Sequence, residues 1–129
     1  FYRLDTAELN DTTGKIVASS ISGGNNRLEI RGDSDTSTNS LCTYGTGSAV
    51  ISLTAGAVVA GSTNKIAFAY GASGGAASLN GAACVTDATA SDLGSEIPFG
   101  VGADGATGAA PLFGMISSIR YWPRRLPGG

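Results

Sequence analysis

Any chemistry in this 129-residue chain has to be done without histidine. That removes the commonest general base, the usual zinc ligand and the side chain that titrates near neutral pH. Carboxylates are the next candidates, because a pair of them can split a glycosidic bond as acid and base. Such a pair on one strand stands at i and i+2 or i+4, and no β-like run here carries it. Glu29 lies between Arg27 and Arg31 on one side of a strand, which reads as a solvated stripe of ion pairs. No residue is assigned a catalytic role, and the chain reads as a non-enzyme. Calcium would need hard oxygen ligands. Asp33, Asp35 and Asn39 in one loop, or Asp87, Asp92 and Asp104 from separate loops, are the available sets. Neither has a regular ligand spacing, and loop Asp and Asn more often bond nearby backbone, so no metal is expected.

Binding by aromatic side chains is better represented. Trp122, Tyr121, Tyr70 and Tyr44 are the candidates for a glycan platform, although aromatics at strand positions more often belong to a core. With Ile119 and Tyr121 on the core side of a terminal strand, Trp122 shares the other side with Arg120, a pairing suited to a cation–π stack or an interface anchor. The ligand or interface residues read from the sequence are therefore Trp122, Arg120, Tyr70 and Tyr44. Arg124 and Arg125 extend a basic cluster that reads as a solvated turn, with Leu126 folding back as a cap. Cys42 and Cys84 lack the spacing of a metal or redox pair and read as two buried small side chains in preference to a disulfide.

The elements that position these residues are short strands. Hydrophobic residues make up 42% of the chain, but many are Ala; there are 20 Gly, and charged residues are only 14%. A Gly/Ser/Thr-rich chain without helical periodicity is all-β, and 129 residues make one domain. Net charge is −2, which gives no reason to expect nucleic acid, and no apolar run is long enough to span a bilayer. A chain that starts at Phe1 is expected to be a processed or trimmed piece of a longer one. About nine or ten strands at hairpin spacing are predicted. Arg27–Arg31 alternates strictly, with Leu28 and Ile30 inward. In Asn64–Tyr70, Ile66, Phe68 and Tyr70 share a face, and Asn80-Gly81 is a two-residue hairpin turn. Gly114–Trp122 is the final strand and supplies much of the core, ended by Pro123. The pattern is that of a two-sheet antiparallel sandwich.

Three pieces carry a resemblance: Asn64-Lys65-Ile66-Ala67-Phe68-Ala69-Tyr70, then Leu79-Asn80-Gly81, then Gly114 through Ile119-Arg120-Tyr121-Trp122-Pro123-Arg124-Arg125-Leu126-Pro127. With Asn25-Asn26 and Arg27–Arg31 ahead of them, they resemble concanavalin A-like (laminin G-like) jelly-roll domains, of the kind found in tailed-phage virion proteins. The resemblance covers residues 25 to 127. The chain departs from that pattern at Gly71-Ala72-Ser73-Gly74-Gly75-Ala76, where relatives usually carry a bulky apolar residue. The resemblance implies a jelly roll of two packed antiparallel sheets. It implies a virion structural or decoration protein (tail, fibre or capsid-associated), whose partners are other virion proteins and copies of itself, with host-surface glycans a further candidate. Location would be the virion, extracellular when functioning. Some members of the family hold calcium at a rim. The alternative is a secreted lectin-like carbohydrate-binding module. Fold analogy alone does not decide activity.

Overall fold

The computed structural model describes residues 1–4, 15–22, 26–33, 39–46, 51–71, 73–89, 99–103 and 107–122. These form ten strands and, among the described residues, no helix: β1 (Tyr2–Leu4), β2 (Ile16–Ser22), β3 (Asn26–Arg31), β4 (Asn39–Thr46), β5 (Ile51–Ala57), β6 (Ile66–Gly71), β7 (Gly74–Leu79), β8 (Val85–Asp87), β9 (Phe99–Val101) and β10 (Gly114–Ile116). Among the described residues all pairings are antiparallel. One layer is a five-stranded sheet in the order β5-β4-β3-β2-β9. The other side is built from a three-stranded sheet, β6-β7-β8, and the ribbon β1-β10. Tyr2 of β1 pairs with Ile116 on one side and bridges Asn64, two residues ahead of β6, on the other. The two smaller pieces are thereby joined, and the molecule is an all-β, two-sheet antiparallel sandwich.

Alternation decides which side chains meet between the layers. Leu28 lies opposite Tyr44, Ile30 opposite Cys42, and Cys42 opposite Leu53, so these rows of the large sheet share its inner face. Across from them lie Ala77 and Leu79 of β7, with Ile66, Phe68 and Tyr70 of β6 packed against the same cluster. A register shift between Ile16 and Ala18 turns Val17 into the core as well.

Asn64 pins the turn ahead of β6. It is fully buried; its Nδ2 donates to the carbonyls of Val59 (3.1 Å) and Ser62 (3.2 Å), and its Oδ1 accepts from Val59 N–H (3.1 Å). A buried amide with these partners replaces the water it gave up.

Four expectations need correction. The stripe Arg27, Glu29, Arg31 is not solvated: Glu29 is buried and held between the two guanidiniums. It stands in a row of outer-face residues with Ser19 and Thr43, both buried too. A buried carboxylate persists only with such charge-assisted partners. Cys42 is buried as expected, but Cys84 is exposed; both are free thiols. The Asn80-Gly81 turn exists, with φ of 55° and 79° and Ala82 N–H donating to Leu79 C=O. Pairing resumes only at Ala77 opposite Val85, so it closes a wider loop. The tight connection is instead the one between the paired Gly71 and Gly74. Finally, the last strand is three residues long, not nine. β10 ends at Ile116 because its partner β1 pairs with it only through Tyr2–Leu4.

Candidate functional site

The layers meet closely on one side and stand apart on the other. On the closed side β5 packs across onto β7 and β8. Here the Tyr44 ring fills the space over Gly75: a Cβ added at Gly75 would lie 2.5 Å from the ring. The glycine at 75 thus makes room for a ring delivered by the opposite sheet. Tyr44 also meets Phe68 and Tyr70, with centroids 5.9 and 6.1 Å away and tilted rings. Its hydroxyl donates to Thr89 C=O (3.2 Å).

On the other side lies a mainly apolar cleft of about 430 Å³. One wall is the inner face of the large sheet at Leu28 and Ile30, with Phe99 of edge strand β9 beside it. The flanks are two consecutive stretches, residues 66–70 of β6 and residues 118–122, with Phe1 at one end. Sealed and empty, a cavity of that size would cost roughly 10 kcal/mol at about 24 cal/mol per Å³, the whole stability of a typical domain. The cleft is instead open, so Leu28, Ile30, Ile66, Phe68 and Tyr70 stay half-exposed.

Of the four residues singled out by sequence, Tyr70, Arg120 and Trp122 line this cleft. Tyr44 does not, being fully buried in the core behind it. The core side predicted for Ile119 and Tyr121 is not observed. Tyr121 is 76% exposed, Trp122 55%, and Ile119 is exposed as well. The terminal aromatics therefore rim the cleft and do not build the core. Sequence reading missed Phe99, which is 60% exposed on a three-residue edge strand. Its only signal was a Phe following Pro98 in a run too short to be a central strand.

Among the described residues, the carboxylates outside the cleft are engaged in structure. The buried carboxylate of Asp33 accepts the backbone N–H of Lys15 (2.9 Å). That of Asp87 accepts Thr89 N–H (2.7 Å), and these bonds to Thr89 hold its carboxyl below the usual range. Asp35, Asp92, Asp104, Arg124, Arg125 and Leu126 lie outside the described residues. Among the described residues no three His, Cys, Asp or Glu side chains gather as metal ligands. Burial pushes the thiol of Cys42 well above its ordinary value, so it stays protonated and unreactive. Burial does the same to the phenol of Tyr2, whose hydroxyl donates to Gly32 C=O (2.9 Å).

Comparison of the chain with protein-family models, with curated proteins and with solved structures returned no match.

Proposed function

We propose that this chain is a non-enzymatic structural or decoration module of a tailed-phage virion, working by contact with copies of itself and with other virion proteins. The virion setting rests on the resemblance carried by the Asn64–Tyr70, Leu79-Asn80-Gly81 and Gly114–Pro127 segments. The contact role rests on one observation: the short edge strands carry large apolar side chains in the open. Phe99 and Val101 stand on β9, Met115 (56% exposed) on β10 and Val85 on β8. Bare edges with exposed apolar side chains invite pairing with another chain, and an assembly covers them. The engaged carboxylates Glu29 and Asp33 favour this reading over a catalytic one.

A secreted lectin-like module is the second reading. It is favoured by the exposed rings of Tyr121 and Trp122 beside Arg120, and disfavoured by the cleft's mainly apolar lining, since sugar hydroxyls need polar partners. Light scattering after size exclusion separates the two. The contact reading expects concentration-dependent oligomers that Phe99→Ser with Met115→Ser reduces. A strictly monomeric chain whose Trp122 fluorescence shifts with a glycan would overturn it.

A further inference from the structure

We propose that the cleft beside β6 is the seat of a further β-strand, continuous with β1 and formed by polypeptide on the amino side of Phe1. The cleft is shaped for a strand and not for a small molecule. Its flanks are unbroken runs of five residues, 66–70 and 118–122, so it presents chain edges, where a ligand pocket would offer alternate side chains.

Register fixes the occupant. Tyr2 already runs between two neighbours. It exchanges both backbone hydrogen bonds with Asn64 (3.0 and 2.8 Å) and lies opposite Ile116. Ser117 N–H donates to Phe1 C=O (3.1 Å), so the same lane continues past β10. Antiparallel pairing advances one chain by one residue as the other retreats by one. Residues ahead of Phe1 therefore fall opposite Ile66 and beyond on one side and Ser118 and beyond on the other. That lane is the cleft.

Two further observations agree. In β6 the odd positions turn their backbone toward β7: Lys65 C=O accepts from Asn80 N–H (2.7 Å) and Lys65 N–H donates to Asn80 Oδ1 (2.7 Å). Ile66 and Phe68, in phase with Asn64, turn theirs toward the cleft. Among the described residues no backbone hydrogen bond from either crosses to 118–122. And the residues left half-exposed are those a strand in this lane would cover: Leu28, Ile30, Ile66 and Phe68. In phase with the buried Tyr2, its first, third and fifth residues ahead of Phe1 would point inward onto them.

The test adds about six residues ahead of Phe1, enough to run opposite β6. One extension alternates valine at the first, third and fifth positions with threonine between; a second swaps the two, keeping composition and shifting phase. A third arm supplies the in-phase sequence as a free peptide at about 1 mM, near the effective concentration that tethering gives. The in-phase extension should raise Tm by roughly 5 °C and slow amide exchange at Ile66 and Phe68 at least about tenfold, with β4 amides as the internal control. The phase-shifted extension should do neither, and the free peptide should give a smaller effect of the same kind. Equal effects from both phases, or none from either, overturn the proposal. So does protection of Ile66 and Phe68 in the unextended chain that grows with protein concentration, because a second copy would then hold the lane.

Discussion

The two sides of the sandwich are built from the same materials and end differently. On the β5–β7 side, glycine in one sheet admits the ring of Tyr44 from the other, and the layers close. On the β6–β9 side, Phe68, Tyr70 and Phe99 are equally large, yet a cleft of about 430 Å³ remains between the layers. Bulk is therefore not what closes a sandwich. Closure needs each large side chain to meet a gap of matching shape, and each strand edge to have a neighbour.

Substitutions on the closed side should be costly. Tyr44→Ala removes the ring that fills the space over Gly75 and should destabilise by about 4 kcal/mol in urea unfolding. Next comes Asn64→Ala. It leaves the backbone of Val59 and Ser62 without its amide partners and loosens the bridge to β1, which should cost about 3 kcal/mol. Gly75→Ala should cost about 2 kcal/mol by overpacking against Tyr44, and much less in a Tyr44→Ala background. Additive costs in that cycle would break the account of why this side closes.

Alkali should act on the buried core too. Burial holds Tyr2 neutral above its ordinary 10.0 and Cys42 above its ordinary 9.0. A folded-state pKa raised in this way contributes stability that is complete below the unfolded value and lost as pH rises toward the folded one. Stability should therefore decline from about pH 9 and more steeply above about 10, and Tyr2→Phe should remove the steeper part. The open side should be nearly silent. Trp122→Ala should change stability by no more than about 0.5 kcal/mol, because the ring rims the cleft and is not packed beneath it. A loss of several kcal/mol there would erase the contrast between the sides.

Much of this was legible in the sequence, and the failures share a cause. Leu28 and Ile30 inward, the common face of Ile66, Phe68 and Tyr70, and the sandwich itself follow from a period of two, which is local. The burial of Glu29 was not legible, because it depends on what covers the outer face of the large sheet. The role of Gly75 was hidden for the same reason: its partner Tyr44 lies thirty-one positions away on the other sheet. Alternation alone extended the last strand to Trp122, yet a strand persists only where a neighbour runs beside it, and β1 pairs with β10 as far as Ile116. Tyr70, Arg120 and Trp122 were found as a group by type; that they line one cleft required the register.

Site-resolved amide exchange on the unaltered chain tests the contrast most directly. The amides of Cys42 and Tyr44, in a strand paired on both sides, should exchange only through global unfolding, whereas those of Ile66 and Phe68 should exchange at least about a hundredfold faster. Equal protection at the four positions would mean that the β6 edge is already paired and the cleft is closed, and the account of a sandwich open on one side would be wrong.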